Sequence, residues 1–124
     1  MGKKIITSAK AVIIKDGEIL TIRKKDKFGE YYVLPGGKQK KYEEIMETVK
    51  RECMEEINLE VVPEEILFLR EYIGKNHEYK EIDYKKHKME FFIKCKIIDG
   101  NLLNGKNPDE NQKEPKWLKL DKIE

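Results

Sequence analysis

Three carboxylates carry most of the chemistry this sequence offers. Glu52, Glu55 and Glu56 stand at i, i+3 and i+4 within residues 36–59, GGKQKKYEEIMETVKRECMEEINL, a run holding six glutamates. On a helix each residue advances by about 100°, so the three share one stripe. Grouped carboxylates repel one another at neutral pH; they are tolerated if solvated, or if a cation sits among them. Hard oxygen donors clustered in this way suit Mg²⁺ or Mn²⁺. The plainer alternative is a solvated acidic face, since glutamate is a good helix former.

The elements that position these acids can be read from periodicity. With Ile45 at 0°, the apolar Ile45, Met46, Val49, Cys53 and Ile57 span roughly 0–120° of the wheel. Glu52, Glu55 and Glu56 fall at roughly 340°, 280° and 20°, so the acids border the buried face and open into a cleft beside it. Glu47, Lys50, Arg51 and Met54 take the far side. Before the helix, residues 5–15 and 18–23 read as strands joined at Asp16-Gly17, a hairpin signal. Residues 24–30 read as a polar loop and 31–34 as a short strand closed by Pro35-Gly36-Gly37. After the helix come a short extended piece at 60–62, strands at 66–73, 89–98 and 116–120, and a long polar loop at 74–88 expected near the active site. The glycines let backbone approach a ligand closely. Lys38 and the lysines after it could hold a polyphosphate or be solvated charge. Glu90, the lone acid of its strand, could face the cleft as a general base. Glu78, Glu81, Asp83, His77 and His87 are weaker candidates. Arg23 is a cation on the strand before the polar loop, and the aromatic Phe28, Tyr31 and Tyr32 could stack on a ligand or simply pack.

The spacing of Gly37, Glu43, Arg51, Glu52, Cys53, Glu55, Glu56 and Leu59 resembles, in register throughout, the signature of the Nudix hydrolases: G, five residues, E, seven residues, R-E-U-x-E-E-x-G-U, with U a bulky aliphatic. Cys53 stands for an aliphatic and packs as a small hydrophobe. Asn58 stands for the final glycine; Asn is the best substitute where a helix ends in a left-handed residue. The resemblance implies an α+β fold, an α/β/α sandwich with a central mixed β-sheet and a loop-helix-loop, formed by one domain over residues 1–124. The chain stops where a final family helix would start, so one flank of the sandwich is expected to be thin.

The resemblance also implies roles. Glu52, Glu55 and Glu56 ligate Mg²⁺, which Mn²⁺ could replace, with Glu56 the main ligand. A carbonyl of the Gly36-Gly37 turn, Gly37 by preference, joins them, and Gly36 also lies against substrate. Glu52 could instead receive the proton of the attacking water. Arg51 orients Glu52 or pairs with Glu43, Glu43 serves structurally, and Arg23 could contact the substrate's phosphate. The implied reaction is attack of water on a diphosphate linkage in a nucleoside diphosphate derivative, a small-molecule nucleotide. The family's ADP-ribose and dinucleoside polyphosphate signatures do not match, since no Pro lies between Pro63 and Pro108 and Tyr72 and Tyr79 flank the expected tyrosine position; that leaves a nucleoside triphosphate or a nucleotide sugar, and the compact chain with no extra domain favours the triphosphate. The alternatives are hydrolysis of ADP-ribose or a nucleotide sugar, or a nucleotide-binding domain without catalysis.

Bulk properties narrow the partners. Charged residues make up 40% of the chain yet nearly cancel, at net +2, which gives no strong pull towards nucleic acid or membrane. No apolar run approaches the roughly 20 residues that span a bilayer, and the N-terminal stretch reads as a strand rather than a signal peptide. Cys53 and Cys95 lack zinc-site spacing and are expected to be reduced thiols of a cytoplasmic protein. A homodimer is compatible with all of this.

Overall fold

The computed structural model describes residues 4–74, 86–102 and 112–122. β1 (Ile6–Val12) runs parallel to β7 (His87–Gly100) and antiparallel to β5 (Gly36–Lys38), and β6 (Leu59–Ile73) pairs antiparallel with β7. The resulting mixed sheet has the order β5-β1-β7-β6. A second, antiparallel sheet places β3 (Glu18–Asp26) between β8 (Gln112–Lys119) on one side and β2 (Ile14–Lys15) and β4 (Gly29–Val33) on the other. The chain passes from one sheet to the other at Ile13, whose carbonyl accepts from Leu20 N at 2.9 Å.

Helix α1 (Ile45–Ile57) packs on β1, β5 and β6. Val49, Cys53 and Ile57 are fully buried there, in a cluster with Ala9, Ala11, Leu59, Val61 and Ile93. The apolar arc of the wheel is therefore the buried one, with Thr48 buried beside it. Two alanines on β1 supply the space: small side chains let the helix approach the sheet closely. The α+β class, the mixed sheet and the glycine-turn–helix unit agree with expectation. Among the described residues there is one α-helix, and residues 120–122 form a 3-10 turn.

Several boundaries differ from the sequence reading. The polar stretch 24–30 is mostly strand: β3 continues to Asp26 and β4 begins at Gly29, because cross-strand pairing from Arg23–Tyr32 to Asp26–Gly29 outweighs its polarity. The pieces at 60–62 and 66–73 are one strand. Pro63 is accommodated because β6 is an edge strand and its register slips between Pro63 and Glu65. β7 starts at His87 and β8 at Gln112, both earlier than expected. Most of the long loop expected at 74–88, with His77, Glu78, Glu81 and Asp83, lies outside the described residues. The Asp16-Gly17 hairpin is present, with both residues at positive φ, 52° and 77°.

Asn58 ends the helix as a left-handed residue, φ 59° and ψ 36°, and its backbone N donates to Met54 O at 3.1 Å. Its side-chain Nδ2 donates to Asn101 O at 3.1 Å, a bond that glycine could not make. Urea unfolding should therefore find Asn58→Gly within about 0.5 kcal/mol of wild type, while Asn58→Ala loses about 1–2 kcal/mol. Equal stability of the alanine variant would show that the left-handed turn carries no strain.

Candidate active site

The helix start is built around Arg51. Glu44 is the N-cap, and its backbone N donates to Glu47 Oε1 at 2.8 Å. Just before it, the Glu43 carboxylate accepts from Lys40 N at 3.1 Å, Thr48 Oγ1 at 2.7 Å and Arg51 Nε at 2.7 Å. Arg51 Nη2 reaches Lys38 O at 2.9 Å, and Nη1 donates to Glu52 at 2.6 Å and Glu55 at 3.0 Å. The wheel puts Arg51 on the solvent side, yet its side chain is only 20% exposed. The long stem folds back so that one planar guanidinium joins the β5 backbone, the helix entry and two acids. Hydrogen bonding from Arg51 holds the Glu43 carboxyl down at about 2.

The acids form a gradient from the core outwards. The side chain of Glu52 is 16% exposed and that of Glu55 35%. Burial raises the Glu52 carboxyl above the ordinary carboxylate range, against the lowering effect of Arg51. Glu56 is pushed up to about 7, chiefly by burial; the Gly36 N–H, donating to its Oε1 at 2.9 Å, opposes this. Both shifts mean that negative charge here is under-compensated.

The two glycines are required by close approach. Gly36, at φ 153°, pairs with Lys10, and a Cβ there would strike the Ala9 carbonyl. A Cβ on Gly37 would fill the space held by the Glu52 carboxylate. The turn is thus a cradle into which carboxylate oxygens are already packed. Among the described residues no three His, Cys, Asp or Glu side chains converge as a ready metal cage; Glu52 and Glu55 are turned to Arg51, and Glu56 to Gly36. The donor set still suits a hard divalent cation: three carboxylate side chains, two of them disfavoured in their charged form by burial, beside a glycine-lined backbone.

The other expected residues meet partners of their own. Arg23 on β3 pairs with Glu30 at 3.2 Å and Glu114 at 3.0 Å, across both neighbouring strands. Lys38 contributes its carbonyl to Arg51. Glu90 on β7 lies 3.6 Å from Arg70 with a largely buried side chain. His87 bonds Glu71 at 2.7 Å. Phe28, Tyr31 and Tyr32 are exposed on β4 and the turn before it.

Sequence reasoning missed two cations, Lys10 and Lys24, whose charges act on Glu56. For Lys10 a signal existed: it interrupts the otherwise apolar run Ala9–Ile14 of a strand whose neighbours are buried.

The family model described as NUDIX domain matches residues 6–124. The chain belongs to the Nudix family. As a Nudix hydrolase it acts on pyrophosphate bonds, and Gly37, Glu43, Arg51, Glu52, Glu55 and Glu56, which carry the signature, are the residues that the Arg51 network and the glycine cradle hold together. None of the curated proteins compared with the chain matches it. Solved structures share the Nudix fold. A NUDIX hydrolase from Nitrosomonas europaea superposes with a TM-score of 0.78 at 18% identity, covering 97% of this chain and 76% of that one. A UDP-X diphosphatase gives 0.75 at 18%, covering 99% and 55%. An ADP-ribose pyrophosphatase from Streptococcus suis gives 0.67 at 20%, covering 97% and 78%.

Proposed function

We propose that this Nudix hydrolase is Mg²⁺-dependent and cleaves the diphosphate linkage of a nucleoside diphosphate derivative, with a nucleoside triphosphate as the preferred class. The observation that carries the reading is the set of three carboxylates, Glu52, Glu55 and Glu56, packed beside a turn where any Cβ would collide with them or with the strand behind. Glu56, Glu52, Glu55 and the Gly37 carbonyl would hold the ion, and Mn²⁺ would serve in its place. When bound, the ion neutralises phosphate oxygens and orients the attacking water.

The protein's own residues do the rest. Arg51 keeps Glu52 and Glu55 from splaying apart, and Glu43 holds Arg51. Of the two candidate bases Glu52 is preferred, because it belongs to the acid cluster and burial raises its carboxyl above the ordinary range, against the lowering effect of Arg51. Glu90 is engaged with Arg70 on the sheet face. Two buried free thiols, Cys53 and Cys95, suit a reducing cytoplasm. No helix among the described residues is long and apolar enough to cross a membrane.

Two neighbours bear on substrate choice by their names, a UDP-X diphosphatase and an ADP-ribose pyrophosphatase, so nucleotide sugars and ADP-ribose form the second arm. A panel of nucleoside triphosphates, ADP-ribose, UDP-sugars and dinucleoside polyphosphates, assayed with Mg²⁺ and with Mn²⁺ and resolved by ion-exchange chromatography, decides. The expected result is fastest metal-dependent cleavage of a triphosphate. Faster cleavage of ADP-ribose or a UDP-sugar would move the substrate to the second arm, and resistance of every compound would leave a nucleotide-binding domain.

A further inference from the structure

We propose that Lys10 is a phosphate-binding residue, which clamps the substrate's diphosphate against the carboxylate cluster from the sheet side. The inference rests on the hydrolase reading above and adds a residue outside the signature.

Lys10 sits in the middle of β1, in register with Gly36 on β5 and Phe92 on β7. Residues in register on adjacent strands share a face, so Lys10 lies on the same face as Ser8, Glu90 and Phe92. The Phe92 ring on β7 is itself fixed by stacking on Phe68, centroids 4.4 Å apart. Lys10's other neighbour, Gly36, has no side chain to screen it from the Glu56 carboxylate bonded to the Gly36 N–H. The ammonium lies within electrostatic reach of Glu90 on its own face and, past Gly36, of Glu56 and Glu52.

A cation in that position need not serve a ligand; it could simply balance the acids. The pairing pattern argues otherwise. Glu90 is met by Arg70, Glu52 and Glu55 by Arg51, and Glu56 by the Gly36 N–H. Among the described residues none forms a salt bridge with Lys10 or accepts a hydrogen bond from its side chain. A desolvated ammonium drawn towards three acids yet closed onto none presents a positive charge to an incoming anion. Lysine is a compact point charge with three donors, suited to a phosphate oxygen. The chemical class it would take is a diphosphate, bound together with the divalent ion.

Methylenediphosphonate, a diphosphate that cannot be hydrolysed, tests this in the presence of Mg²⁺ by calorimetry, alongside Mn²⁺ affinity and melting temperature. Lys10→Met keeps the stem and removes the charge; Lys10→Arg keeps the charge. The expected result is diphosphonate binding weakened by roughly tenfold to a hundredfold in Lys10→Met, largely restored in Lys10→Arg, with Mn²⁺ affinity and melting temperature close to wild type in both. Wild-type diphosphonate affinity in Lys10→Met would overturn the proposal. So would a parallel loss of Mn²⁺ affinity, because Lys10 would then act only on the carboxylates. If the wild type cleaves diphosphates while the variant binds them normally, Lys10 alone falls. If the wild type neither binds nor cleaves them, the hydrolase reading falls and takes Lys10 with it.

Discussion

Glu56→Gln should give a protein that is more stable than wild type at neutral pH and nearly inactive. The Glu56 carboxyl titrates at about 7 in the fold against an ordinary value of 4.5, with burial the leading cause. An acid whose folded value is raised binds its proton more tightly in the native state, so stability falls as pH rises through that interval. The penalty is absent below about pH 4.5 and complete above about pH 7. Gln carries no charge at any of these values and can still accept the Gly36 N–H through its amide oxygen. Without added metal, the variant should melt roughly 5–10 °C above wild type at pH 8, an effect on the order of 2–3 kcal/mol, and the two should converge by pH 4.5. Hydrolysis with Mg²⁺ should fall by at least roughly a hundredfold, since the main oxygen donor is lost. Thermal melts across pH and initial rates check both halves. A variant no more stable at pH 8, or one retaining activity within a fewfold, would remove Glu56 from the centre of the site.

The second large effect is expected at Arg51. Replacement by Met keeps much of the stem and strips the hydrogen bonds to Glu43, Glu52, Glu55 and the Lys38 carbonyl. Three carboxylates would be left close together, two of them with side chains less than one-fifth exposed. Breaking one side of a buried charge network typically costs about 3–5 kcal/mol, and partial exposure here argues for the lower end. The sign with pH is opposite to that for Glu56. Glu43 is depressed to about 2 from 4.5, so its contribution is complete above pH 4.5 and disappears as pH falls towards 2. The deficit of Arg51→Met should therefore be full at pH 7 and shrink on acidification. Denaturant unfolding at pH 7 and pH 3 measures it; an equal deficit at both would mean that Arg51 acts through packing alone. Activity should fall as well, because Glu52 and Glu55 lose the group that holds them together.

How far the site could be read without coordinates follows from which residues depend on local geometry. The helix, its buried arc and the placement of Glu52 and Glu56 at the border of the core follow from 3.6-residue periodicity, a property of the segment itself. The left-handed Asn58 follows from its position after the last apolar residue. Arg51 escaped the wheel because a wheel places Cβ atoms, while its guanidinium is set by the Lys38 carbonyl and Glu43, both outside the helix. Lys10 escaped because its meaning depends on β1 lying between β5 and β7, a pairing with segments 26 and 82 residues away in the chain (Gly36 and Phe92 against Lys10). The continuous β6 was hidden by Pro63, a residue tolerated only because that strand is at the edge. The pairing of Arg23 with Glu30 and Glu114 was likewise not legible, because those acids are brought alongside only by β4 and β8.

The acids beside Gly36 and Gly37 are expected to bind a divalent cation. Titration of Mn²⁺ into the substrate-free protein, followed by electron paramagnetic resonance, tests it without relying on turnover. Wild type should sequester Mn²⁺, Mg²⁺ should compete for the same site, and Glu56→Gln should bind at least roughly tenfold more weakly. Equal Mn²⁺ binding by wild type and Glu56→Gln would contradict the account.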